Sequence, residues 1–429
     1  MTAAVDITPS GSSDNPTNHG GERDGHHQPP APIDGGTRAW LHAFLCHMVF
    51  FNTWGITNSY GVFQQYYTHT LGVGPSSIAW VGGLQMFLLL GGGVLSGRAS
   101  DAGYFRHCLF AGAFLQVIGF VLLSFADRYY QVLLSQGVCV GLGHGLLFTP
   151  SLSVTSSYFK ANRALALGIS AAGASTGGMV YPAVVSQLLG NPAVGYGWAM
   201  RAVALIVLCT HIPSLVGFRS HLPKRTGRQL IDWQAFREGP FVCFTIGFFL
   251  HFWGLYMAFF YLGIYARQTL HVEDTLSLIT IINGVGVAGR VVPNMISQRT
   301  IGTLNMAILF SVACSACVYC WAAIRSTAGL YAWVVVYGIS SGAMQSLMPT
   351  LATSQAHEPD KVGTWTGMVL TIVSFATLTG PSIQGALIQG DGGRYLWAEV
   401  FSASSIVLGC MFLVASRCYS VGPVFAAKI

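Results

Sequence analysis

Long apolar runs recur along the chain between residues 40 and 416, separated by short polar segments. A hydrocarbon core about 30 Å thick is crossed by roughly 20 residues of α-helix, whereas a barrel strand needs only about 10. A helix also satisfies its own backbone hydrogen bonds in lipid. The pattern therefore predicts an all-α membrane protein with twelve transmembrane helices, called spans 1 to 12 below. The spans are placed at residues 40–64, 77–97, 105–125, 130–152, 163–189, 196–218, 241–266, 275–296, 301–323, 328–351, 362–388 and 396–416.

The polar segments divide the chain further. Residues 1–33 are rich in Pro, Gly, Ser, Asn and His and contain no apolar run, which predicts a disordered tail without a signal peptide. Residues 219–240 form the longest internal loop and separate two six-helix bundles, expected at 34–218 and 241–416. Residues 417–429 are a short second tail.

The two halves show a weak internal repeat. At an offset of 199 residues, Trp54 aligns with Trp253, and Tyr66 with Tyr265. A parallel repeat of six plus six spans is the layout of the major facilitator fold, in which the substrate lies near the membrane midplane between the halves.

Composition agrees with a membrane protein, because 52% of the residues are hydrophobic and only 8% are charged. The net charge of +6 is spread over short loops, so no nucleic-acid partner is expected. The closely spaced Cys314, Cys317 and Cys320 lie in an apolar helix without nearby His or acidic residues. We therefore expect no metal and no cofactor.

Lys and Arg set the orientation, since cytoplasmic loops carry an excess of both. With the N-terminus inside, fifteen of them fall on the cytosolic side and five on the outer side, with Arg290 alone inside a span. Both termini are therefore expected in the cytosol, and the plasma membrane is the expected location.

Two segments carry a family resemblance. Asp34–Gly36 with Trp40 precedes span 1, and Tyr158–Lys160 with Arg163 precedes span 5. They resemble the two signature segments of the monocarboxylate transporter family. The sequence of Asn58–Gln64 is similar to the fungal branch of that family, which includes riboflavin and organic-solute transporters. The resemblance covers about residues 34–418. It implies transport of a small, anionic organic solute.

Arg290 is the first candidate for substrate binding, because a charge inside the membrane costs about 2.5–3.5 kcal/mol on insertion scales. It matches the span-8 arginine that, in the family, meets the substrate carboxylate. The alternative is an arginine that snorkels to the interface. Asn58 stands where animal members have a lysine used in proton-linked transport, and an amide cannot titrate. It is a second candidate for substrate contact.

Four further side chains complete the predicted substrate site: Tyr60, His144, Asn283 and Gln345. His144 lies among glycines of span 4, and histidine titrates near neutral pH, so protons remain an open second partner. The alternative for each is packing against a neighbouring helix.

A gate is predicted at the end of span 2. Asp101, with Arg98 and Arg106 on either side, resembles the gating loop of the superfamily, in which an acid and nearby bases form a charge latch. Arg163 and Arg299 are the other candidate members. The corresponding loop after span 8 has Gln298 where an Asp is expected, so a second latch should be weaker.

The sequence thus indicates a secondary transporter that moves a small organic, monocarboxylate-like solute by alternating access. Export of a fungal secondary metabolite on the same fold is the alternative, and a non-transporting nutrient sensor is a further one. An intramembrane enzyme would need clustered histidines or paired acids within the membrane, and the spans contain neither.

Overall fold

The computed structural model describes residues 36–222, 231–297, 299–355 and 361–422, and this part of the chain forms helices and no strand. Its α-helices are α1 Thr37–Asn52, α2 Trp54–Asn58, α3 Tyr60–Thr70, α4 Pro75–Gly91, α5 Gly93–Ala99, α6 Phe105–Leu123, α7 Tyr129–Val132, α8 Gly141–Ser157, α9 Arg163–Leu189, α10 Gly195–Gly217, α11 Gly239–Leu255, α12 Met257–Thr269, α13 Thr275–Ser297, α14 Thr303–Trp321, α15 Thr327–Ala352, α16 Val362–Gly390 and α17 Leu396–Val421. Two π-helical segments, Ser100–Tyr104 and Leu133–Val140, and a 3-10 turn, Ala235–Arg237, complete the set.

The twelve predicted spans are confirmed. Span 1 consists of α1 to α3, span 2 of α4 and α5, span 4 of α7 and α8 with the π segment between them, and span 7 of α11 and α12. Each other span is one helix. Nine helical stretches of the described residues are long and apolar enough to cross a membrane, and one of these, Pro75–Leu123, contains both span 2 and span 3.

Spans 1 and 7 are interrupted at related places, at Ser59 and at Tyr256. In span 1 the hydroxyls of Thr53, Thr57 and Ser59 donate to the carbonyl oxygens of Val49 (2.8 Å), Thr53 (3.0 Å) and Gly55 (2.7 Å). Such bonds to the preceding turn compete with the helical ladder and bend helices. The middle of span 1 packs against span 5.

Both ends of the helical bundle lie on one face, where α1 begins and α17 ends; we call it the terminal face and the other the opposite face. The halves meet along α4 with α16 and along α9 with α13. Glycine allows this approach: a Cβ on Gly83 would lie 2.6 Å from the carbonyl oxygen of Leu378. Small residues are the usual contact points of membrane helices.

Several predictions stay untested. The disordered tail 1–33, Gln298 and part of each of the segments 219–240 and 417–429 lie outside the described residues. The domain boundaries at 34, 218, 241 and 416 and the orientation in the membrane also remain predictions.

Candidate functional site

Arg290 lies inside the helical bundle between the two halves and is 2% exposed. Its Nη1 donates to Ser175 Oγ of α9 and, over 3.3 Å, to the carbonyl oxygen of Gly286. Its Nη2 donates to Gln345 Oε1 of α15 over 2.8 Å. The guanidinium therefore bridges spans 5, 8 and 10 and does not reach out to the interface.

The partners of Arg290 are all neutral, and it forms no ion pair with the acids of the described residues. A buried cation in this situation attracts an anion, and the planar guanidinium suits a carboxylate. Tyr256, the residue just before α12, lies close enough to Arg290 for an electrostatic interaction. The site carries positive charge without a built-in counterion.

Several polar atoms on the helices near Arg290 lack hydrogen-bond partners. Within the described structure, both side-chain polar atoms of Asn58, the hydroxyl of Tyr256, Oδ1 of Asn283 and Nε2 of Gln345 are buried without a hydrogen-bond partner. Buried polar atoms are otherwise paired almost everywhere in proteins. These four side chains can therefore meet the polar groups of a bound molecule.

Helix geometry explains their proximity. Asn283 and Arg290 are seven residues apart on α13 and share one face, and Gly178 of α9 lies against Asn283. Trp54, one turn before Asn58, stacks on Tyr256 with ring centroids 6.5 Å apart. Asn58 thus lies where spans 1, 5 and 7 converge. Of the six predicted substrate residues, the structure groups Asn58, Asn283, Arg290 and Gln345.

The other two predicted residues lie in different surroundings. The Tyr60 hydroxyl donates to the carbonyl oxygen of Ile78 over 2.6 Å, and its ring contacts Phe260 at 4.8 Å. His144 Nδ1 lies 3.4 Å from Gln85 Nε2, while His144 Nε2 is buried without a partner. Tyr60 thus packs between spans, and His144 belongs to a polar cluster within the N-terminal half.

A cavity of about 800 Å³ opens at the opposite face, between the ends of spans 1, 5, 7 and 8. Tyr66, His69, Ser186, Arg267 and Gln268 contribute to its wall. Toward the centre, span 1 closes against span 7, where a Cβ on Gly61 would lie 2.5 Å from the carbonyl oxygen of Phe259. At the opposite face the halves are therefore apart between spans 1, 5, 7 and 8, while the start of α4 still contacts the end of α16 through Ser76 and Ser382 at 2.9 Å. In the middle the halves are closed.

The predicted gate residues lie at the terminal face. Asp101 is half-buried in the π-helical segment that ends α5, and Gly103 there has a φ of 94°, which favours glycine. Arg98, Arg106 and Arg299 are exposed, and Arg163 is half-buried. Arg106 lies over the Phe110 ring at 5.8 Å. The charge latch remains a prediction.

A contact that the sequence did not reveal lies beside this gate. Asp232, in the loop between the halves, is 7% exposed. Its Oδ2 accepts from Trp365 Nε1 of α16 over 3.1 Å and lies 3.5 Å from Lys361 Nζ. One Asp among the polar residues of a loop gives no signal of such a partner. Ser175 was missed for the same reason, since it stands in a run of small residues.

These features define a polytopic membrane protein with a polar, cationic centre between two six-helix halves. The sequence matches the Major Facilitator Superfamily over residues 44–361. The chain belongs to this superfamily of transporters, which are not enzymes. The resemblance to the monocarboxylate transporter family rests on the sequence motifs alone.

Curated fungal relatives are similar over nearly the whole chain. An MFS-type transporter of Gibberella zeae is 40% identical, covering 90% of this chain and 88% of its own length. The aspyridones efflux protein apdF of Emericella nidulans is 35% identical, covering 92% and 82%. Among solved structures, a bacterial homolog of the human lysosomal transporter Spinster shares the fold, with a TM-score of 0.61, 15% identity and coverage of 91% and 100%.

Proposed function

We propose that this protein exports a fungal secondary metabolite, an amphipathic organic molecule with an acidic group. The observation that carries the proposal is the 35% identity, over 92% of the chain, to a protein named as an efflux protein for aspyridones. The sequence alone favoured a monocarboxylate-like solute, and the relatives favour its alternative, export.

The central site supports an anionic molecule larger than a simple monocarboxylate. Arg290 offers its charge to an acidic group, while Asn58, Tyr256, Asn283 and Gln345 hold unused donors and acceptors. Aromatic walls supply apolar contact, because Trp54 and Tyr256 stack in the same region. A molecule with one acid, several neutral polar groups and an apolar body matches this set.

The cavity at the opposite face suits release of such a molecule. Its volume of about 800 Å³ lies within the range of about 300–1,000 Å³ that is usual for sites binding drug-sized ligands. We propose that the terminal face is cytosolic and that the cavity opens to the outside. Rocking of the halves about the α4–α16 and α9–α13 contacts would then expose the centre to each side in turn.

Untargeted metabolite profiling of a deletion strain tests the proposal. Cells and medium are compared among the wild type, the deletion strain and the deletion strain carrying the intact gene. Export predicts at least one metabolite that accumulates inside deletion cells, falls in the medium and is restored by the gene. Identical profiles in all three strains would contradict export.

Uptake of a monocarboxylate-like anion is the second candidate, favoured by the buried Arg290 without an acidic partner. Profiling separates the two, since an importer's deletion leaves its solute in the medium. A radiolabelled short-chain monocarboxylate offered to the same strains would show saturable entry only if the second candidate is correct.

A further inference from the structure

Glu399 is a buried carboxyl group near the opposite face. It lies in the first turn of α17 and is 3% exposed. Within the described membrane helices it is the only buried acidic residue. No basic side chain of the described residues lies within 4.0 Å of its carboxylate. A carboxylate in such a place is costly unless its charge is balanced, and one proton removes that charge.

The titratable and charged groups around Glu399 come from three elements. Tyr265 belongs to α12, Tyr395 precedes α17, and Arg325 follows α14; all three interact with the carboxyl group electrostatically. The two tyrosine rings meet edge to face at 5.1 Å. Arg325 is exposed and donates to the carbonyl oxygen of Ile324 over 3.0 Å.

The remaining neighbours among the described residues do not balance the charge of the Glu399 carboxylate. Trp321 of α14 packs against Tyr265 with ring centroids 5.3 Å apart and is uncharged. In the turn before α17, Asp391 and Arg394 pair with each other at 2.6 Å. The charge balance of Glu399 therefore depends on a distant arginine, two hydroxyl groups and any proton that it binds.

A hydrogen bond links this cluster to the cavity. The Tyr395 hydroxyl donates to Gln268 Oε1 over 3.1 Å, and Gln268 is part of the cavity wall. Tyr395, which interacts electrostatically with Glu399, thus connects the carboxyl group to the cavity wall. The cluster also joins span 12 to span 7, which forms part of the cavity wall.

We propose that Glu399 is the proton site of this transporter and that its protonation is coupled to movement of the opposite face. The carboxylate takes one proton from cavity water and becomes a neutral acid; it returns the proton in the reverse step. The inference rests on the proposed export, because protons moving inward would supply the free energy for moving a solute outward.

The histidines within the spans are less suited to this role, because protonation would place a positive charge among neutral partners, whereas protonation removes the charge of a carboxylate. His47 bonds to the Ile169 carbonyl and Thr176, His211 to Gln116 Oε1 at 2.7 Å, and His251 to Ser311 Oγ at 3.0 Å. His144, the proton site favoured by the sequence, lies beside Gln85. It serves as the comparison in the test.

The first measurement uses protons as the only probe. The purified full chain in lipid is acidified from about pH 8 to 5, and the infrared band of the protonated carboxyl C=O group is recorded. The wild type, His144→Gln and the exposed-acid control Asp127→Asn should all gain a band that Glu399→Gln lacks. Should Glu399→Gln fail to reach the membrane, Glu399→Asp replaces it, because the aspartic acid band is displaced from that of glutamic acid.

The second measurement asks whether the proton site matters for export. The deletion strain carries either the wild type or Glu399→Gln, and the medium is assayed for the metabolite that the wild type restores. Export should fall by about tenfold or more, the usual size of a coupling between two sites. Asp127→Asn should export normally.

The results separate the two proposals. A band that persists unchanged in Glu399→Gln, or equal export by Glu399→Gln and the wild type, overturns the role of Glu399. If the wild type restores no export, the export function fails, while the infrared band still decides whether Glu399 binds the proton.

Discussion

Asp232 and Trp365 join the loop between the halves to the start of span 11. The indole Nε1 of Trp365 donates to Asp232 Oδ2 over 3.1 Å, and the Trp365 ring rests edge-on against Phe241 of span 7 at 4.9 Å. Two residues further along α16, a Cβ on Gly367 would lie 3.2 Å from Val94 of span 2. The loop is thus anchored beside a contact between the halves.

Removing this anchor should loosen the loop. Asp232→Ala deletes the acceptor of the Trp365 N–H and the partner of Lys361, at a cost of about 1–2 kcal/mol, or a factor of about 5–30 in the open population. Tryptic cleavage within residues 219–237 should speed up accordingly. Trp365→Phe should have a similar effect, whereas Trp233→Phe, at a residue 72% exposed, should not. Equal cleavage of all variants would contradict the anchor.

The same anchor should withstand mild acid. Hydrogen bonds from Trp365 and from the Gln234 backbone N–H, with the charge of Lys361, lower the pKa of Asp232 from its usual value of 3.8. A carboxyl whose pKa is lowered by folding stabilises the folded state above its unfolded pKa and loses that contribution as the pH falls through the folded pKa. Loop cleavage by a protease active over the range should therefore stay constant from about pH 8 to 5. A steep rise within this range would contradict the assignment.

Arg290→Ala should lower export of an acidic metabolite by about tenfold or more, because a hydrogen bond to a charged group is worth about 1.5–3 kcal/mol. Arg290→Lys should retain part of the activity, since it keeps the charge but loses the planar fork. The assay is the amount of metabolite in the medium of the complemented deletion strain. Arg237→Ala, at an exposed position outside the predicted gate, is the matched control. Normal export by a membrane-inserted Arg290→Ala would remove Arg290 from the site.

Gly83→Ala should destabilise the contact between the halves. Its Cβ would come within 2.6 Å of the Leu378 carbonyl oxygen, whereas a Cβ on Gly284 meets only Met179 Sδ at 3.4 Å. Overpacking of this kind costs about 1–3 kcal/mol, so the Tm in detergent should fall for Gly83→Ala and stay level or rise for Gly284→Ala. A fall of the same size in both would contradict the role of the contact, since Ala is the better helix former and Gly284→Ala meets no comparable clash.

The orientation of the protein in the membrane can be tested by labelling single cysteines, introduced into a variant from which most native cysteines have been removed. Ala193→Cys lies in an exposed turn of the opposite face, and Thr226→Cys falls within residues 219–240, predicted as the longest internal loop. The excess of Lys and Arg on the terminal side predicts that an impermeant thiol reagent on intact cells labels only Ala193→Cys. Labelling of Thr226→Cys alone would reverse the topology.

The apolar runs determined the helices and their number, because a helix in lipid must satisfy its own backbone and be long enough to cross. This is why span 5, predicted at 163–189, appears as Arg163–Leu189. Arg290 also stood out in the sequence, since a charge in an apolar run is costly wherever the helix packs. Glu399 gave a weaker signal of the same kind, as a lone acid at the start of span 12.

Only the tertiary structure decided which side chains meet. Ser175 and Gln345 hold Arg290 because α9, α13 and α15 converge there, and Asp232 reaches Trp365 across 133 residues of chain. Tyr60 and His144, also predicted as substrate residues, contact the Ile78 carbonyl oxygen and Gln85. Hydropathy predicts whether a residue is buried in the membrane. Which side chain it contacts depends on how the helices rotate and cross, and glycines such as Gly83 set this through contacts that are distant in sequence.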